Sequence, residues 1–300
     1  MKLSYRLRKD YLGILFVLPV ILGLAIFTFI PMGTSLINSF QVWTDFYNGA
    51  TEFSFDNYVK IFSGGDSIFV NSLLQTLLFT ALDIPIRMTL SFSLALFLFK
   101  DRTGVKFIRV LCYVPVIIPT VVSGVLWKNI MNTGNGYLNL ILAGLGMEKV
   151  AFFSNETALV SFLFVGMFGI GSSMILWISQ LKNIPKTVYE AADIEGASRV
   201  QSLFRITLPL CGPTIFYVLI TSIIGTLQVF DLAYMFYDST NDSIYFLVVY
   251  IYHLAFGSIG ADINMKYACA LSWVLFAMIA FLSGLVFMCK KWVIYGEDYA

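Results

Sequence analysis

The sequence predicts an all-α membrane protein of six transmembrane helices with both termini in the cytoplasm. Three observations carry that prediction. The chain of 300 residues is 58% hydrophobic and only 12% charged, with a mean hydropathy of +0.81. Soluble domains carry about 25% charged residues, so a water-exposed body is excluded. A bilayer core of about 30 Å takes about 20 apolar residues per helix, and segments 11–36, 70–99, 107–130, 158–181, 208–232 and 267–289 reach that length. Finally, the basic residues are asymmetric. With the amino end inside, 14 of the 19 fall on cytoplasmic segments and span ends, four (Lys60, Lys128, Lys149 and Lys266) fall outside, and Arg87 lies within a span. That is the positive-inside pattern.

Taken in order, residues 1–10 carry Lys2, Arg6, Arg8 and Lys9 ahead of the first apolar run, without a small-residue cleavage pattern. They read as a retained cytoplasmic segment. Residues 11–290 form one transmembrane domain, and 291–300 a cytoplasmic tail. Asp83 and Arg87 stand four apart in the second span, on one helix face, where each can neutralise the other. Pro115 and Pro119 should bend the third span. The stretch 244–256, IYFLVVYIYHLAF, has only 13 residues and is too short to cross. It reads as an interfacial or re-entrant helix, and counting it as a span would put Lys290 and Lys291 outside. Trp43, Trp127 and Trp292 are candidate interface anchors. Cys112, Cys211, Cys269 and Cys289 show no metal or disulfide spacing and read as buried thiols. The chain has no phosphate-binding GxxxxGK[ST] loop, no nucleophile elbow and no basic nucleic-acid patch, so it is expected to be neither an enzyme nor a nucleic-acid binder.

The polar stretch from Glu190 to Pro209, EAADIEGASRVQSLFRITLP, joins the fourth and fifth spans on the cytoplasmic side. Asn183 and Pro185 signal a helix start, Lys186 to Glu195 reads as a short helix, and Gly196 ends it. Ser198 can cap a second helix in which Val200, Leu203 and Phe204 share a face, and Pro209 opens the fifth span. Ala191 and Ala192 offer a shallow surface to a partner backbone, flanked by the acceptors Glu190, Asp193 and Glu195. The plainer alternative is an amphipathic connector on the membrane interface.

The spacing E-A-A, three residues, G, nine residues, I-x-L-P resembles the "EAA" coupling motif of ABC importer permeases, matched at Glu190, Ala191, Ala192, Gly196, Ile206, Leu208 and Pro209. FDNYVKIF (55–62), NSLLQT (71–76), the run 109–142, YIYHLAF (250–256) and MKYACALSWVLF also resemble the carbohydrate-uptake branch, specifically the first of two paired maltose-type permeases. The chain departs from that branch in reading YDSTNDS at 237–243. The resemblance implies the type I transmembrane domain fold, with 183–209 as the coupling loop. It also implies a bacterial or archaeal plasma-membrane location and three kinds of protein partner: a second permease, two ATP-binding subunits docked on that loop, and an extracytoplasmic solute-binding protein. ATP and magnesium would sit on the ATP-binding subunits. The implied coupling residues are Glu190, Ala191, Ala192, Asp193, Gly196, Ile206, Leu208 and Pro209.

The implied cargo is a sugar or oligosaccharide; a glycerol phosphate compound or a polyol is the alternative cargo. A non-transporting membrane scaffold and an ion-coupled carrier are the rivals from other classes. Thr120, Gly169, Ser172, Gln228 and Asp231 resemble positions that line the mid-membrane pocket in maltose-type permeases. Gln228 and Asp231 would share a helix face one turn apart. Each also has a plainer reading: a hydroxyl bonded to its own helix for Thr120 and Ser172, an interhelical bond for Gln228, and a position beyond the hydrocarbon for Asp231.

Overall fold

A computed structural model describes residues 15–45, 49–237, 241–257 and 263–288. The basic residues of the amino end, together with Cys289, Lys290, Lys291 and Trp292, lie outside them. Among the described residues, five helices are long and apolar enough to span: α1 (Leu15–Ser39), α3 (Ser67–Leu98), α7 (Ala158–Asn183), α10 (Gly212–Phe236) and α12 (Met265–Met288). The sixth candidate is a pair, α4 (Val105–Ile117) and α5 (Thr120–Ile130), bent by 98°. Pro119 explains the break. Its ring disfavours helical backbone at the preceding residue, and Ile118 is extended at φ −71°, ψ 127°. Segment 107–130 is therefore two helices meeting at a corner.

The described chain divides into two compact units, one made of the residues up to Asp66 with Ile251–Val274, the other of Ser67–Tyr250 with the residues from Leu275. In the first unit, β1 (Gln41–Asp45) and β2 (Ala50–Phe53) form an antiparallel hairpin, followed by α2 (Asp56–Phe62). The buried Asn57 holds them together, its Nδ2 donating to the carbonyls of Ser39 at 3.0 Å and Gln41 at 2.9 Å. Trp43 is half-buried with the Lys266 ammonium 4.7 Å from its ring centre.

The second unit has two apolar cores. One gathers Phe79, Trp127, Phe162, Val165, Phe236 and Phe246. The other gathers Ala95, Leu98, Met174, Trp177, Leu181, Cys211 and Val218. Helices α3 and α7 run through both. Helix α3 holds Pro85, and α7 tightens to a 3₁₀ turn at Met167–Ile170. Just past that turn, Gly171 lets α7 touch α4, since a Cβ there would come within 2.3 Å of the Cys112 carbonyl oxygen. The indole of Trp177 donates to Ser91 Oγ at 3.0 Å, so the indole of the second core is paired.

Three expectations need correction. Trp127 is buried in a core, stacked edge-on against Phe164 and Phe168, and is not an interface anchor. The short apolar stretch forms α11 (Leu247–Phe256), whose Leu247, Val249, Tyr250 and His253 are buried. With those residues packed and the Leu247 N–H bonded to Thr76 Oγ1 at 2.9 Å, it is not a helix lying free on the interface, and of the two expected alternatives only the re-entrant one is compatible with this packing. Pro209 sits in a three-residue helical turn, Leu208–Leu210. The spanning helix starts at Gly212 with Pro213 in its first turn.

Candidate functional site: the polar connector and the mid-span residues

The connector is a helix, a reversal and a capped second helix. Helix α8 (Lys186–Ile194) follows Pro185 directly, where the missing proline N–H leaves no intrahelical bond unmade. At its end the Gly196 N–H donates to the Asp193 carbonyl at 3.1 Å and the Ala197 N–H to the Ala192 carbonyl at 2.9 Å. This is the two-bond Schellman closure, which needs a left-handed residue at its centre, and Gly196 has φ +75°. Ser198 then caps α9 (Arg199–Ser202) in a reciprocal capping box with Gln201. The chain runs on through a π turn at Leu203–Thr207.

Side chains tie this element to the spans. Thr207 Oγ1 donates to the Ser202 carbonyl at 3.2 Å. That uses its single hydrogen, so the Tyr189 hydroxyl donates to Thr207 across 3.0 Å. Gln180 near the end of α7 donates to the Leu210 carbonyl at 2.8 Å and accepts from Thr214 at 3.3 Å. The connector is thus pinned at its root and across its two arms.

Of the expected coupling residues, Glu190, Ala191, Asp193 and Gly196 are exposed, whereas Ile206, Leu208 and Pro209 are half-buried. Ala192 is buried, so the shallow surface belongs to Ala191, and the second alanine serves the connector's own packing. Sequence reasoning missed Ile194, which is 87% exposed and joins the exposed Val200 and Phe204 as apolar side chains on the connector. Its signal was an isolated apolar residue in an acidic run. Leu203, expected on their face, is half-buried.

The mid-span residues are less coherent. Thr120 is the exposed first residue of α5, just past the corner. Gly169 lies in the 3₁₀ turn of α7, and the exposed Ser172 donates back to its carbonyl at 3.4 Å, the self-bonded arrangement. Gln228 and Asp231 are both exposed but do not share a helix face. Regular helix stops at Leu227 and restarts at Asp231, with Phe230 at φ −135°, ψ −62°. The one-turn spacing between them is therefore lost.

Residues 87–293 match the family described as "Binding-protein-dependent transport system inner membrane component". The chain belongs to this family. It is 33% identical over 99% of its length, and 96% of the relative's, to the probable ABC transporter permease protein YesP of Bacillus subtilis. It is 29% identical to the lactose transport system permease protein LacF of Rhizobium radiobacter, over 94% of this chain and 95% of that one. Among solved structures it resembles a bacterial ABC transporter involved in the import of the acidic polysaccharide alginate. The TM-score is 0.84 at 22% identity, covering 98% of this chain and 100% of that one. The protein is thus a multi-pass inner-membrane ABC permease, the non-catalytic component of its transporter.

The permease also holds an ionic knot that the sequence did not announce. Asp101, between α3 and α4, bridges Arg109 of α4 at 3.1 Å and Lys182 of α7 at 3.0 Å, while Arg109 Nε donates to the Leu98 carbonyl at 2.8 Å. It ties the α3–α4 turn to the root of the connector. Hydrogen bonds from Lys182 first and Arg109 second hold the Asp101 carboxyl below its ordinary value of 3.8. A depressed carboxyl stabilises the fold above its unfolded value and loses that contribution as pH falls through the folded one. Asp101→Asn should therefore melt below wild type by a constant margin between about pH 5 and 8, and the margin should shrink below about pH 4. Differential scanning fluorimetry across that range would show it.

Proposed function

We propose that this chain forms half of the translocation pathway of an ATP-driven importer for a sugar or oligosaccharide. In this reading it has six spans, α4 and α5 counting as one, with both termini cytoplasmic. Residues 183–209 face the cytoplasm and dock an ATP-binding subunit through Glu190, Ala191 and Asp193, with Ile194, Val200 and Phe204 as the apolar part of the contact. The observation that carries it is the connector itself: an exposed, mixed acidic and apolar surface closed at both helix ends and rooted in α7 and α10. ATP binding on two such subunits, carrying the Mg²⁺, would close them, pull this loop and that of a second permease, and open the pathway outward. A solute-binding protein would deliver cargo there, and hydrolysis would reset the spans.

Sugar is favoured as cargo by the resemblance to the carbohydrate branch and by relatives such as the lactose permease. A glycerol phosphate compound would want free cationic groups in the membrane. The guanidinium of Arg87 is instead held by both oxygens of Asp83, at 2.8 and 2.9 Å. The test is reconstitution with the partner permease, the ATP-binding subunits and the binding protein in lipid vesicles. Sugar-loaded binding protein should raise ATP hydrolysis and drive sugar uptake. Stimulation by a phosphorylated solute alone would reassign the cargo, and no ATPase partner at all would favour the scaffold reading.

Thr120, Gly169, Ser172, Gln228 and Asp231 are proposed to line the pathway. Asp231→Ala should lower uptake several-fold or change solute preference while assembly with the ATPase stays intact. Wild-type uptake and preference in that variant would remove Asp231 from the pathway.

A further inference from the structure

The segment that follows α1 carries a row of apolar side chains with no use in the function proposed above. At about 100° per residue, Val59 and Phe62 of α2 and its N-cap residue Phe55 fall within about 60° of one another. All three are exposed, Phe62 by 77%. On another flank of the same short helix Asn57 and Ile61 are buried, and on a third Asp56, Lys60 and Ser63 are exposed and polar. A helix between protein and water needs two sectors. This one has three.

The apolar sector also extends beyond α2. Phe53 at the end of the hairpin is exposed. It meets Phe55 edge-on at 6.0 Å and stacks on Phe40 at 5.7 Å, and Phe40 is the residue on which α1 ends. The ridge is thus continuous with the end of a spanning helix whose own apolar window has no buried residue within the chain. Its chemistry is also that of lipid contact. Protein-binding hot spots are enriched in Tyr, Trp and Arg, whereas this ridge exposes phenyl and isopropyl groups. The hydroxyls beside it are engaged locally: Tyr58 with Ser39 Oγ at 2.8 Å, Ser54 accepting from the Asp56 N–H at 3.1 Å and Ser63 donating to the Lys60 carbonyl at 3.3 Å.

We infer that Phe53, Phe55, Val59 and Phe62 form a lipid-contacting surface that beds the hairpin and α2 in the acyl–headgroup boundary of the bilayer, beside the end of the first span. Interfacial helices bury such faces by about 5–10 Å, which would fix the depth at which α1 ends.

Nitroxide labels on single cysteines, placed in the assembled importer in lipid vesicles with the native cysteines replaced by alanine, test this. Labels at 55, 59 and 62 should collide more with oxygen, which concentrates in lipid, than with a water-soluble nickel chelate. Labels at 56 and 63 should show the reverse. High nickel collision at 55, 59 and 62 would mean that the ridge faces water. Low collision with both reagents would mean that another protein covers it. Either result overturns the inference. If the cysteine-free background fails to assemble, Phe62→Trp in the native chain gives the same decision. Its added fluorescence should be quenched by brominated lipid and spared by acrylamide, and the opposite pattern, or protection from both, would overturn the inference.

Discussion

Arg87→Ala is expected to destabilise the permease by about 3–5 kcal/mol, the usual result of stripping one partner from a buried ion pair. The Asp83 side chain is only 4% exposed and that of Arg87 26%, so the charge left behind would be the more deeply buried one. The pair also has a place to act. The guanidinium lies against the 3₁₀ turn of α7, where a Cβ on Gly166 would sit 3.1 Å from Nη2, two residues along α3 from Pro85. Replacing both charges with apolar groups, as in Asp83→Leu with Arg87→Met, should recover most of the loss, because the desolvation penalty disappears with the charges. Thermal melting in detergent of wild type, Asp83→Leu, Arg87→Met and the double variant measures the coupling. If Arg87→Ala melts like wild type, the pair does not hold these helices.

Glu190→Lys is expected to leave folding and insertion unchanged while abolishing coupled uptake. The Glu190 side chain is exposed, and its carboxylate makes no hydrogen bond or ion pair within the described residues. Exposed substitutions of that kind usually change stability by less than about 0.5 kcal/mol. Reversing the charge in the middle of the proposed contact is different, because like charges juxtaposed across an interface cost several kcal/mol. ATP hydrolysis should persist without solute movement. Reconstituted vesicles report both quantities at once, and normal uptake would remove Glu190 from the coupling surface.

The spans were legible because hydrophobic length is a local property, and the connector because Pro185, Gly196 and Ser198 punctuate it locally. The corner at Pro119 was legible as a bend, but its 98° depended on Ile118 being driven fully extended. The Asp101 knot was not legible, since it joins residues 81 positions apart and a single sequence carries no trace of such pairing. Nor was the interruption at Phe230, which has no glycine or proline to mark it. It removed the helix face that Gln228 and Asp231 were expected to share. Ala191 and Ala192 look equivalent in sequence, and only the packed helix shows which one faces outward.

If the proposed function holds, an ATP-binding subunit takes hold of this permease at the connector. A cysteine at the exposed position 191, in the purified importer, tests it most directly. An oxidative or short bifunctional cross-link should form from position 191 to the ATP-binding subunit, with a yield that changes when ATP is added. An importer that assembles and hydrolyses ATP yet forms no such cross-link from position 191 would contradict it.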